Sequence, residues 1–184
     1  MDTVAGGLDG ALQKAFTRPI PKSAGARMRY LVKQLKGTRP VAGLLGITQR
    51  TVERYVKDQI KRPRPDLAAR MENEVAKRWQ PQIRAKAKQT AATTTGIVID
   101  ARARLGYTAA PGTTDDARLR HLTVALPPEY AARLFATRDA GGSEQQLRDI
   151  AAEGLQEIYF KDRGRRAQGL LVEFTDVEQV EFDL

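Results

Sequence analysis

Thr38-Arg39-Pro40-Val41-Ala42-Gly43-Leu44-Leu45-Gly46-Ile47-Thr48-Gln49-Arg50-Thr51-Val52-Glu53-Arg54-Tyr55-Val56-Lys57 reads as two short helices joined at Gly46. Thr38 is a candidate N-cap. Pro40 near the helix start lacks only a donor that would be orphaned there anyway. Ala42 is small where two helices would cross, and Gly46 suits the positive φ of a tight turn. Ile47, Val52 and Val56 take apolar inner positions, and Thr48 caps the second helix. Gln49, Arg50, Glu53 and Arg54 then lie on its outer face, with Lys57 beyond them.

This pattern resembles the DNA-binding helix-turn-helix over about 20 residues. The resemblance makes the second helix a recognition helix. Gln pairs with adenine and Arg with guanine in the major groove. Lys61-Arg62-Pro63-Arg64-Pro65 follows. Its prolines favour an extended chain, and Lys61, Arg62 and Arg64 suit phosphates. Before the motif, Ser23 can cap a helix carrying Met28, Leu31, Val32 and Leu35. After it, Asp66 opens a helix striped by Leu67, Met71, Val75 and Trp79, which Pro81 should end or kink.

Charge supports the division. The 184 residues hold 31 Lys/Arg and 22 Asp/Glu, a net of +9. Residues 1–94 hold 20 against 7, and residues 95–184 hold 11 against 15. A half with net +13 suits a polyanion, whose phosphates release counterions on contact. The small, Thr-rich stretch 89–95 places a domain boundary, giving a basic helix-turn-helix domain at 1–94 and a second domain at 95–184.

The second half opens with alternation. Ile97, Ile99, Ala101, Ala103 and Leu105 share one strand face, and Asp100, Arg102 and Arg104 the other. Residues 118–126 form a second strand with Leu122, Val124 and Leu126 on one side and His121, Thr123 and Ala125 on the other. Turn residues at 109–116 join the two as an antiparallel ribbon. Helices follow over 129–137, with Tyr130, Leu134 and Phe135, and after Ser143, with Leu147, Ile150, Ala151, Leu155 and Ile158. Ser143 and Gln146 form a capping box. The order strand, helix, Gly-Gly-Ser, helix resembles a ribbon-helix-helix unit, which implies a strand paired with its twin in a dimer. The tail, around Thr175-Asp176, reads as an acidic hairpin covering a sheet edge. The fold class is therefore α+β: an all-α helix-turn-helix domain, then a β-ribbon with helices.

Composition excludes several chemistries. Without Cys there is no disulfide, thiolate nucleophile or Cys-based metal site. His121 is the single His, so one chain offers no His–His metal site, and it reads as a surface or interface residue. No apolar run approaches the roughly 20 residues of a membrane span. The start lacks a signal peptide's apolar block. A cytoplasmic protein with no membrane partner, at the nucleoid, is expected. No catalytic centre of its own is expected either.

Gly106-Tyr107-Thr108-Ala109-Ala110-Pro111-Gly112-Thr113-Thr114-Asp115-Asp116, His121 to Pro128, and Glu144 to Leu155 resemble the telomere terminal proteins (Tpg type) of actinomycete linear chromosomes and plasmids. With the helix-turn-helix, the likeness extends over nearly the whole chain. It implies a protein that stays covalently attached to DNA 5′ ends and acts as a primer rather than an enzyme. It implies three partners: telomeric DNA, a telomere-associated protein and a DNA polymerase. The divalent metal ions and dNTP belong to the polymerase, and the protein needs no cofactor of its own. It implies Thr114 as the priming hydroxyl, with Thr113 beside it, and dCMP as the first nucleotide. A helix-turn-helix transcriptional regulator without priming is the alternative.

Overall fold

The computed structural model describes residues 3–108, 118–165 and 171–184. The elements run α1 (Val4–Lys14), α2 (Ala24–Gln34), α3 (Thr38–Leu45), α4 (Gln49–Val56), α5 (Pro65–Arg78), α6 (Pro81–Thr90), β1 (Ile97–Thr108), β2 (Arg118–Leu126), α7 (Pro128–Asp139), α8 (Glu144–Leu155) and β3 (Leu171–Asp183). Single π-helical turns extend α6 over Ala91–Thr95 and α8 over Gln156–Phe160. The α+β class holds. Two compact units form, Thr17–Pro81 and Met1–Phe16 with Gln82–Leu184.

The larger unit is built on an antiparallel sheet in the order β2-β1-β3. The alternation in β1 and β2 works as read. Ile97, Ile99, Ala101 and Ala103 are buried, as are Leu122, Val124 and Leu126. They meet Leu134, Phe135, Leu147, Ala151 and Leu155 of α7 and α8. The Ser143–Gln146 capping box is present in both directions. On the opposite face, Asp100 accepts from Thr123 Oγ1 at 2.6 Å and lies 2.9 Å from His121 Nε2. These bonds, the threonine's foremost, hold the Asp100 carboxyl below its ordinary range. His121 is a surface residue.

Three expectations change. The tail is one strand, not a hairpin. β3 pairs with β1 along its length, and the register slips twice, leaving Thr175 and Glu178 without partners opposite. Each slip is a one-residue bulge. The bulges bring Val172, Val177, Val180 and Phe182 to the buried face despite their uneven spacing. Residues 89–95 are not a linker. They continue α6, and Ala91 is fully buried against α7 and the sheet core. α1 packs with this core as well, through Val4, Leu8, Ala11 and Leu12. The sheet unit therefore includes segments that the 94/95 boundary assigned to the basic half. β2 pairs antiparallel with β1 of its own chain, as the ribbon reading expected.

α1 is a weak helix by composition, with Gly6, Gly7 and Gly10 among its 11 residues. Its start is held by a long-range cap. Val4 and Ala5 donate their N–H groups to Glu144 Oε1 and Oε2 at 2.6 and 3.2 Å, and Gly6 donates to Thr3 Oγ1. Glu144 also sits in the first turn of α8, so one carboxylate serves the positive ends of two helices. Glu144→Ala should cost about 1–2 kcal/mol. Faster amide exchange throughout α1 would register it. Unchanged exchange there would mean that packing alone holds the helix.

Candidate nucleic-acid interface

Residues 17–81 hold 16 Lys/Arg against 5 Asp/Glu, a net of +11. The small core of this unit is formed by Met28, Leu31, Val41, Leu45, Val52, Tyr55, Met71 and Val75, all buried. Burial pushes the Tyr55 phenol up. Gly37 rather than Thr38 occupies the N-cap of α3. α3 ends at Gly46 in the left-handed conformation, φ 61 and ψ 41, which a side chain there would strain. Thr48 caps α4 as read, its Oγ1 accepting from the Thr51 N–H at 3.2 Å.

Two arginines fix this helix pair. Arg70 of α5 donates to the Leu45 carbonyl at 2.7 Å, satisfying an orphan acceptor at the end of α3. Arg29 of α2 donates to the Val56 carbonyl at 2.9 Å and pairs with Asp58 at 2.6 Å, closing the end of α4. α4 is thus held at its start by a hydroxyl and at its finish by a guanidinium. The sequence reading missed both arginines. Asp66, four residues before Arg70 and bonded to it, was a local hint for one. Arg29 and Val56 are 27 residues apart, with no local signal.

All five acids are engaged, and eleven of the sixteen cations form no salt bridge among the described residues. Asp58, Asp66, Glu72 and Glu74 pair with Arg29, Arg70, Arg27, and Lys77 together with Arg78. The fifth acid, Glu53, accepts from Gln49 Nε2 at 3.0 Å. Arg50, Arg54, Lys57, Lys61, Arg62 and Arg64 are exposed and form no salt bridge among the described residues. Arg50 and Arg54 lie on α4, Lys57 is its C-cap, and the others occupy the connector to α5. Ile60 packs against the core and Pro63 is half-buried, so the connector is anchored while Lys61, Arg62 and Arg64 face solvent. Gln49 and Glu53 are tied to each other, whereas Arg50 and Arg54 are available.

No protein-family model, curated protein or solved structure matches this chain. The geometry therefore stands by itself. Thr114 and Thr113 lie outside the described residues, in the stretch connecting β1 to β2. Among the described residues there is no cluster of three or more His, Asp or Glu suited to a metal ion. No helix there is long and apolar enough to cross a membrane.

Proposed function

We propose that the chain binds duplex DNA through α4 and the Lys61–Arg64 connector, and that it serves as a terminal protein for linear replicons, priming DNA synthesis from Thr114. The observation that carries the DNA reading is the sorting of charge. Every acid of the helical unit is engaged, and the cations of α4 and its connector are left for an external polyanion. Arg50 and Arg54, one turn apart, have the forked donors that read guanine, and Lys57, Lys61, Arg62 and Arg64 have the charge that holds phosphates. The priming role rests on the resemblance described above. The antiparallel pairing of β1 with β2 supports it to this extent: Thr114 falls in sequence between two neighbouring strands.

In this reading telomeric DNA, a telomere-associated protein and a polymerase are the partners, and the polymerase supplies the metal ions. A regulator without priming would share the DNA interface and lack the covalent bond. Protease treatment before phenol extraction of native linear DNA separates the two, since a terminal protein carries its DNA ends into the phenol phase until it is digested.

Arg50→Ala with Arg54→Ala should weaken binding to telomeric duplex by about 1–3 kcal/mol per lost base contact and flatten its salt dependence. Filter-binding titrations at several salt concentrations measure both. An unchanged affinity and slope would remove α4 from the interface.

A further inference from the structure

We infer that Tyr159, Arg163 and Arg165 form a site for a single strand of DNA, at the end of the sheet where β1 stops and β2 and β3 begin. The inference rests on the reading of the chain as a DNA-binding protein, and it adds a second form of DNA to that reading. Residues 95–184 hold 11 Lys/Arg against 15 Asp/Glu. Within this acidic half, Tyr159-Phe160-Lys161-Asp162-Arg163-Gly164-Arg165 brings together three cations, one acid and two aromatic rings.

Side-chain contacts place the segment. Gln156 Oε1 accepts from the Val172 N–H at 2.8 Å, which ties the π-helical turn to the start of β3. The Arg120 guanidinium, near the start of β2, stands 5.7 Å from the centre of the Phe160 ring. Phe160 itself packs against the core. Tyr159 meets Phe160 edge to face, with 4.9 Å between centroids and 86° between planes, and stays 43% exposed. A large ring propped from inside and open to solvent is a platform on which a base can stack.

The arginines beside it face solvent. After the turn the backbone is left-handed at three successive residues, Asp162, Arg163 and Gly164, with φ 48, 55 and 80. That conformation is costly for the first two. The Arg163 N–H donates to the Glu157 carbonyl at 2.8 Å, and the Arg165 N–H to the Asp162 carbonyl at 3.3 Å. Lys161 is paired with Glu157 at 2.9 Å. Arg163 and Arg165 are exposed and form no salt bridge among the described residues, whereas Arg102, Arg133, Arg138 and Arg148 each pair with a carboxylate. An exposed ring flanked by two guanidinium groups suits a ligand that offers base faces and phosphates together. A duplex keeps its base faces stacked inside, and an acidic protein surface calls for the cations alone. Single-stranded DNA uses both features.

The wild-type chain should bind a labelled oligothymidine, with an affinity that falls as salt rises. Y159A should raise the dissociation constant at least about fivefold, the effect of one lost stacked base. R163Q with R165Q should flatten the salt slope by about 1.4, the share of two phosphate contacts on a single strand. All three side chains are exposed, so far-ultraviolet dichroism should match the wild type. Iodouracil placed in the oligonucleotide should photocross-link to Tyr159. R50A with R54A should leave that cross-link in place, so failure of the duplex interface and failure of this site are read separately. Cross-links confined to residues 17–81 would overturn the inference. So would an affinity that responds to the arginines but not to Tyr159, which is the result expected of a patch for an acidic partner.

Discussion

Thr114→Ala should abolish labelling of the protein by a radioactive dNTP in the presence of polymerase, telomere-associated protein and template. Priming forms a bond from the Oγ1 oxygen to the α-phosphorus, breaks the bond to the β-phosphate, and releases pyrophosphate and the hydroxyl proton. The polymerase's two metal ions carry the charge of that displacement. The primer protein supplies one oxygen, and alanine has none. Thr114→Ser keeps the nucleophile and should retain part of the labelling, because it lacks only the methyl that restricts χ1. Thr113→Ala should label nearly normally. DNA binding should survive all three, because the cations assigned to it lie in residues 50–64. Full labelling of Thr114→Ala, with the adduct mapped to Thr113, Ser143 or a tyrosine, would displace the site. Failure of every position to label would leave the regulator reading.

Gly96→Ala should destabilise the sheet unit by about 3 kcal/mol or more. Gly96 enters β1 at φ 73 and ψ −155, a backbone region essentially closed to residues with a side chain. A Cβ built there would stand 2.1 Å from the Leu126 carbonyl oxygen. That oxygen has little freedom to retreat. Leu126 is 1% exposed and paired with Ile97, and Pro127 and α7 follow directly. A thermal melt followed by dichroism should show a drop of many degrees. A melting temperature near that of the wild type would mean that the π-turn before Gly96 adjusts at little cost.

Much of this architecture was legible because local chemistry determined it. Alternation placed the faces of β1 and β2, Ser143 with Gln146 marked the start of α8, and Gly46 with Thr48 marked the turn before α4. What escaped notice depends on residues far apart in the chain. Val4 to Lys14 has too many glycines for propensity to announce a helix, and its cap is a glutamate 140 residues away. β3 hid as two short alternating stretches because its bulges break the two-residue period. In the candidate interface, the outward residues of α4 and its cap were readable from spacing. Arg29 and Arg70, which hold the helix pair, look in sequence like any other basic residues.

The discontinuous make-up of the sheet unit bears on how the protein is made. Residues 17–81 bury their small core on contacts within their own stretch. α1 is synthesised before them, yet it rests on β3 and is capped from α8. Its apolar stripe must wait, uncovered, while the intervening helices fold and the remaining strands are translated. Closing so long a loop is slow. During that interval Val4, Leu8 and Leu12 stay uncovered and open to a chaperone, and a nascent chain stalled before β3 would leave α1 with nowhere to dock.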